Sequence, residues 1–381
     1  MCGIAGIVGY PDQGGLDLVV NQMIATLEHR GPDDSGVWSD ARAGVALGHR
    51  RLSIVDLSAA GHQPMTSACG TYVLTFNGEI YNHRDLRHEL ERSGGAPEWR
   101  GHSDTEVFLA AVCRWGVRTA LERSVGMFAF GLWDCANRTL HLARDRLGEK
   151  PLYLGTTGDS LVFASELKAL RVCPGWGGGI DRGALVEFMR FGCISSPRSI
   201  YSNVVKIPPA SLLSIPCDDF GAMLSSADPA RAECYWDAVA VAEAGTRAPL
   251  AADDSEARDL LAEKLTTAVG QQMQADVPLG SFLSGGVDSS LVTALMQTRS
   301  GQKIKTFSIG FEDPAYNEAT YAKAVARHLG TDHTEQYLTA EDAMAVIPRL
   351  PILYDEPFAD ASQIPTFLVS ELARRHVTVA L

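Results

Sequence analysis

The chain predicts an α+β domain with stacked sheets, followed by an α/β domain built on a parallel sheet. Three observations carry this. Residues 1–215 read as many short apolar strands separated by turn residues, with a few helical segments between them. The stretch 214–254 loses periodicity and gathers Pro, Asp, Ser and Ala, which marks a linker or a loosely structured crossover. From Ser255 onward helical and strand periods alternate, the pattern of parallel strands covered by helices. The domain limits drawn on this basis are 2–213 and 255–381, with 214–254 as linker.

In order, Gly3–Val8 and Thr71–Phe76 are short apolar runs that predict buried strands, and Leu16–Glu28 and Leu86–Arg92 carry helical spacing. Met127–Trp133, Thr139–Ala143 and Leu161–Ala164 read as further strands. The second domain begins with a helix over Glu256–Gln272, a strand over Leu279–Leu283 and a helix over Ser290–Gln297. A strand over Ile304–Gly310 and helices over Glu318–Leu329, Ala340–Leu353 and Ile364–Arg375 follow, and Val377–Leu381 reads as a last parallel strand.

Composition narrows the function. With 381 residues and 46% hydrophobic content the chain can bury two cores. A net charge of -13 disfavours nonspecific nucleic-acid or anionic-membrane binding. The eight cysteines show no C-x-x-C pair, which fits reduced thiols in the cytoplasm and argues against structural zinc. The apolar start lacks a basic region and is cut short by Pro11-Asp12, and no later run approaches the roughly 18 apolar residues of a membrane span.

Cys2 follows Met1 directly. Removing Met1 would place a thiol and a free α-amine on one residue, and an amine of pKa ~8 is a built-in general base. The bland alternative is a small buried hydrophobe near the start of the chain. Three further runs bring polar groups: His49–Asp56, Asn77–Asn82 and Ser103–Glu106. A thiolate attacking an amide needs an oxyanion hole, which the Asn77 side chain and Gly78 N–H can supply. A free amino-acid substrate needs a cation and an anion, and Arg51 and Asp104 form such a pair. Each has a structural alternative: Asn77-Gly78 is a hairpin-turn signal, Asp104 could cap a helix starting near Thr105, and Arg51 could be a surface cation.

Together with Arg30–Asp33, Arg144–Tyr153 and Ala164–Ala169, these runs resemble the class II glutamine amidotransferase domain across nearly all of residues 2–211. The resemblance implies an Ntn-hydrolase αββα sandwich. It also implies that Cys2 attacks the γ-amide of glutamine, releasing ammonia and leaving a glutamyl thioester for water to hydrolyse. By the same match Arg51, Leu52, Ser53, Ile54, Val55, Asn77, Gly78, Glu79 and Asp104 form the glutamine pocket.

In the second domain, Ser284-Gly285-Gly286-Val287-Asp288-Ser289-Ser290 lies between an apolar strand and a helix, where backbone N–H groups can cradle a phosphate. A plain helix cap on a glycine turn is the alternative. The run lacks the Gly-Lys-Ser/Thr of a Walker A loop and resembles the PP-loop of ATP pyrophosphatases, an adenine nucleotide alpha hydrolase-like fold. That resemblance implies pyrophosphate binding by Ser284–Ser290, adenosine contact by Leu283 and Ile309, and a Mg²⁺ placed by Asp288. The loop Tyr354–Ser362 gathers three carboxylates before a helix and reads as a solvated cap or the border of an acceptor pocket.

A glutaminase domain followed by a PP-loop domain resembles the glutamine-hydrolysing asparagine synthetases. The family implies ligase chemistry on aspartate, glutamine and ATP through β-aspartyl-AMP, ammonia carried through an internal channel, and a possible homodimer. The chain ends at Arg375–Leu381, where relatives continue with a Ser-Gly-x-Gly-x-Asp-Glu segment and a long helical region, so the second domain is expected to be incomplete. Other readings follow: a glutaminase with a remnant second half, an amidotransferase for another carboxylate such as a polysaccharide sugar acid, and a non-enzymatic sensor.

Overall fold

Strand alternation sets the layers of the first half. The computed structural model describes residues 1–10, 14–217, 231–311, 313 and 317–381. Pro11 and Asp12 of the apolar start, and residues 218–230 of the expected linker, lie outside the described residues. The chain divides into two compact units, Met1–Arg247 with Asp355–Phe358, and Ala248–Tyr354 with Ala359–Leu381.

The first unit runs β1 (Gly3–Val8), α1 (Leu16–Ala25), β2 (Asp34–Asp40), β3 (Val45–Arg51), β4 (Met65–Thr66), β5 (Tyr72–Ile80), α2 (His83–Arg92), α3 (Asp104–Trp115) and α4 (Val117–Arg123). It continues with β6 (Gly126–Asp134), β7 (Thr139–Arg144), β8 (Tyr153–Thr157), β9 (Ser160–Ala164), α5 (Leu167–Arg171), α6 (Arg182–Phe191), β10 (Val204–Lys206), β11 (Ser211–Pro216) and β12 (Glu233–Cys234). Two antiparallel sheets result, ordered β10-β8-β9-β1-β3-β2 and β12-β11-β7-β6-β5-β4.

Along β1, Ile4 and Val8 face one way and meet Val73, Ala129, Trp133 and Leu142 of the other sheet. Ala5 and Ile7 face the opposite way and pack on Leu16, Val19, Val20, Met23 and Ile24 of α1, whose spacing makes one helical stripe. On β5 and β6, Leu74, Phe76, Phe128 and Phe130 cover Leu86, Leu90, Phe108 and Val112 of α2 and α3. Each such buried side chain contributes about 1.5–3 kcal/mol of transfer free energy. The layers are therefore helix, sheet, sheet, helix, the αββα sandwich expected.

Sequence reading and structure differ in several places, of which three are instructive. Within the stretch expected to be aperiodic, β12 pairs with β11, and Ala238–Arg247 is a helix with no buried residue. Its alanine-rich sequence offers too little polar contrast for a period to show. The helix expected over Ala340–Leu353 is broken into Ala340–Val346, a 3₁₀ turn at Ile347–Arg349 and Leu350–Leu353. Pro348 and Pro351 remove the N–H groups a continuous helix needs. The polar edge strand Asp332–Leu338 carried no alternation strong enough to be read.

The second unit has a parallel four-stranded sheet of β13 (Leu279–Phe282), β14 (Lys305–Phe311), β15 (Asp332–Leu338) and β16 (Val379–Ala380), ordered β15-β14-β13-β16. Helices Asp254–Gln272, Val287–Arg299, Ala319–Leu329 and Gln363–Arg374 accompany it. Phe307 packs with Leu372, Ala373 and Val377, and Leu283 with Ala322 and Ala326. No helix among the described residues is long and apolar enough to cross a membrane.

Candidate active site

Cys2 precedes β1 and extends the set of alternate positions, Ile4 and Val8, that face the space between the sheets. Its sulfur accepts the Leu52 N–H at 3.4 Å and donates to the Leu52 carbonyl at 3.7 Å. Its own carbonyl accepts Arg30 Nε at 2.8 Å, and Arg30 in turn pairs with Glu166 at 2.8 Å. Burial pushes the Cys2 thiol up, opposed by the adjacent terminal amine and the Leu52 N–H. The same desolvation lowers the Met1 amine to about 6. Burial thus disfavours the thiolate and favours a neutral amine able to take its proton.

The inner edge of β5 brings Phe76, Asn77, Gly78 and Glu79 to the cavity beside Cys2. Thr71 accepts from Cys135 and Tyr81 donates to Val125, so odd-numbered residues of β5 bond to β6 and even-numbered backbone groups point to the opposite side. On that side the Phe76 N–H donates to Gln63 Oε1 at 2.7 Å and the Ile80 N–H to Asp104 Oδ2 at 2.7 Å. The Gly78 N–H lies between these two and points into the pocket. A Cβ at Gly78 would run into the Met127 carbonyl and the Phe128 backbone, so only glycine fits. The odd side chains face the inter-sheet space: Thr75 donates to Gly48 O of the first sheet at 2.9 Å. Asn77, on the same face, is fully buried, and neither its Oδ1 nor its Nδ2 has a hydrogen-bond partner. Asn77-Gly78 is thus strand interior, and the hairpin-turn alternative is set aside.

Arg51 is 7% exposed, so it is no surface cation. Its guanidinium donates to the carbonyls of Ser58 (3.1 Å), Val55 (3.5 Å) and Asp56, folding the 52–58 loop over the pocket. Nor does Asp104 cap α3: that bond is made by Ser103 Oγ, which accepts the Glu106 N–H at 3.2 Å. Asp104 instead ties the Ile80 and Thr105 N–H groups, the latter at 2.8 Å, and burial raises its pKa against those bonds. Cys2, Arg51, Leu52, Ile54, Val55, Asn77, Gly78, Glu79 and Asp104 line one cavity of about 50 Å³, with Met1 forming part of its wall. Ser53 is absent from that lining; its N–H donates to Asp33 at 2.8 Å.

In the second unit, the Ser284–Ser290 run begins in the short connection after β13 and continues into the first turn of the helix Val287–Arg299, whose N-cap is Gly286. Ser289 Oγ accepts the Ser284 N–H at 3.2 Å and meets Ser284 Oγ at 3.0 Å, and Ser284 Oγ accepts the Gly286 N–H at 3.2 Å. Gly285 has φ +84°, and a Cβ there would lie 2.6 Å from Ala322 N. The Leu283 side chain packs on Ala322 and Ala326, and its N–H donates to Phe307 O at 2.9 Å. Ile309 lies two residues beyond Phe307, the partner of Phe282, at the same ends of neighbouring parallel strands. Asp288 is exposed in the first turn of the helix. Among the described residues no three His, Cys, Asp or Glu side chains are grouped to hold a metal ion.

A family model described as "Glutamine amidotransferase domain" matches residues 1–223, and one described as "Asparagine synthase" matches residues 260–381. A putative glutamine-hydrolysing asparagine synthetase 2 of Methanocaldococcus jannaschii is 34% identical over 405 residues, spanning 100% of this chain and 73% of that protein. The chain belongs to the glutamine-hydrolysing asparagine synthetase family. Asparagine synthetase 1 of Bacillus subtilis is 36% identical over 387 residues, spanning 100% of this chain and 57% of the relative, and asparagine synthetase B of Escherichia coli is 31% identical over 91% of this chain and 56% of its own length. The chain therefore spans little more than half the length of these two relatives.

In this member of the synthetase family the cavity also includes residues to which the sequence assigned no role in the pocket: Gly61, Gln63, Ser103, Thr105, Met127 and Lys150. Lys150 is 4% exposed, and desolvation lowers its pKa while Glu79 raises it. Glu79 is pushed up to about 7, by burial first and by Asp104 second. The signal available in sequence was a lysine inside the Arg144–Tyr153 run, but its spacing from Cys2 gives no hint that they share a wall. Of the acidic loop read from sequence, Asp355 accepts the Lys168 N–H at 3.1 Å and Glu356 pairs with Lys206 at 2.6 Å; both belong to the first unit, and neither lines the Cys2 cavity.

Proposed function

We propose that the protein is a glutamine-dependent amidotransferase of the cytoplasm that makes asparagine from aspartate, glutamine and ATP. After removal of Met1, the Cys2 amine takes the thiol proton and the sulfur attacks the γ-amide carbon of glutamine. Oxygen charge develops toward Asn77 Nδ2 and the Gly78 N–H, ammonia leaves, and water hydrolyses the thioester to glutamate. Asp104 receives the substrate ammonium, and Arg51 with the loop it orders receives the carboxylate. Leu52, Ile54, Val55 and Glu79 complete the pocket, and Ser53 braces its loop through Asp33.

The buried Asn77 amide carries this reading. A polar group hidden without a partner costs roughly 1–3 kcal/mol, and a pocket that a substrate oxygen fills accounts for that cost.

In the second unit Ser284–Ser290 receives the ATP phosphates, with adenosine against Leu283 and Ile309. Asp288 as a lone exposed carboxylate fits a Mg²⁺ held mainly by nucleotide phosphates. Bound Mg²⁺ would supply charge neutralisation of the pyrophosphate. The acceptor is aspartate, activated at its side-chain carboxylate, with the working unit a homodimer and no nucleic-acid or membrane partner.

The test is incubation with glutamine, with and without ATP and aspartate, measuring glutamate and AMP. Glutamate released by the parent and lost in Cys2→Ala supports the first site, and AMP dependent on aspartate supports the second. Glutamate without AMP would reduce the activity to a glutaminase, and AMP formed only with another carboxylate would change the acceptor.

A further inference from the structure

A second thiol chemistry sits away from Cys2. Cys69, in the turn between β4 and β5, and Cys113, near the end of α3, are both exposed, and their sulfurs are 3.5 Å apart. They stand 44 residues apart in the chain, so only the packing of α3 on the second sheet brings them together. Both line a cavity of about 220 Å³ with Ser67, Ala96, Arg100 and Glu106. We infer that Cys69 and Cys113 form a reversible dithiol–disulfide site that reacts with a hydroperoxide admitted by this cavity.

The geometry is close to what the bond needs. A disulfide requires about 2.05 Å, so the sulfurs must approach by roughly 1.5 Å. Cys69 sits where such a shift is cheap: it is exposed, and Gly70 beside it has φ +72° with open space around it. Cys113 is held on a helix and supplies the fixed half.

The two thiols are also unequal. Burial acts to raise Cys69, but Ser67, the Thr71 hydroxyl and N–H, and Cys113 together bring it to about 7. Desolvation and the neighbouring Cys69 hold Cys113 at about 12. Near neutrality one sulfur is therefore substantially thiolate and the other its proton-bearing partner, the division that attack and resolution require.

The steps balance without another reagent. The Cys69 thiolate attacks the O–O bond, forming Cys69–SOH and releasing the alcohol or water after the leaving oxygen takes a proton. Cys113 then attacks the Cys69 sulfur, the S–O bond breaks, and the departing hydroxide takes the Cys113 proton as water. Two thiols and one hydroperoxide become one disulfide, one alcohol or water, and one water. The bond would pin the β4–β5 turn to α3, the helix whose first residue is Asp104.

The test treats a Cys2→Ala protein with equimolar hydrogen peroxide at pH 7, followed by proteolysis and mass spectrometry. The expected product is a Cys69–Cys113 linked peptide lacking two hydrogens and restored by dithiothreitol. In Cys113→Ser, dimedone should capture Cys69 as the sulfenic acid instead. Iodoacetamide should modify Cys69 at least tenfold faster than Cys113 at pH 7. Two thiols that stay fully alkylatable after peroxide, linkage of either to another cysteine, or no dimedone adduct on Cys69 would each overturn the inference. None of these outcomes bears on glutamine hydrolysis, which is read at Cys2.

Discussion

The cavity at Cys2 draws Cys2, Arg51, Asn77 and Asp104 from four separate segments and buries most of their polar atoms, whereas Ser284–Ser290 is a run of consecutive residues left largely exposed. The first arrangement can shift acidities, because desolvation acts on Cys2, the terminal amine, Glu79 and Asp104 at once. The second presents N–H groups and a helix start, which are enough to hold an anion whose charge is already made. A site that must create a nucleophile needs distant strands to exclude water. One that only grips phosphate can be written locally.

The sharpest way to break this contrast is Cys2→Ala, which should lower glutamate release by about 10⁴-fold or more. Activity that survives would remove the nucleophile from the account. Next, Asn77→Ala should reduce kcat by about 10²–10³-fold with little change in KM, the mark of a transition-state contact. A KM effect alone would make Asn77 a substrate-holding group.

For the local site, Gly285→Ala places a methyl against Ala322 at a positive φ. Equilibrium dialysis should show ATP binding weakened at least about tenfold, with glutaminase turnover unchanged. Loss of both activities would show that the loop supports more than its own site.

The desolvation argument predicts a pH effect. Burial lowers the Met1 amine, and the same desolvation should act on the amine that Met1 removal creates one residue further in. A base with a depressed pKa is active above that value and lost as pH falls through it, so kcat/KM for glutamine should show an acid limb whose midpoint lies below the ~8 of an exposed amine. A midpoint at the ~8 of an exposed amine would contradict the burial argument. The smallest effect belongs to Ser103→Ala, which removes the α3 cap and should cost about 1 kcal/mol in thermal or denaturant unfolding.

Much of the architecture was legible. The strands at Gly3–Val8, within Tyr72–Ile80 and within Gly126–Asp134, and the helices at Leu16–Ala25 and Gln363–Arg374, carry strong periods because one face of each meets a core. Edge strands were harder: Asp34–Asp40 and Asp332–Leu338 are polar and only partly buried, so little alternation survives. Local signals also misled where tertiary structure overrode them. Asn77-Gly78 carries the dipeptide of a tight turn but continues a nine-residue strand, because its odd-numbered neighbours are locked to β6.

By itself, then, the chain determined the succession of an antiparallel sandwich and a parallel sheet, a cysteine one step from the amino terminus, and a glycine-rich loop between strand and helix. Those features depend on neighbours a few residues away. Only the folded structure decided that the Asn77 amide is left without a partner, that Arg51 is drawn in by three carbonyls, that Lys150 joins the Cys2 cavity, and that Cys69 meets Cys113. Each depends on which distant side chains exclude water from a shared space, and that is set by packing between layers rather than by spacing along the chain.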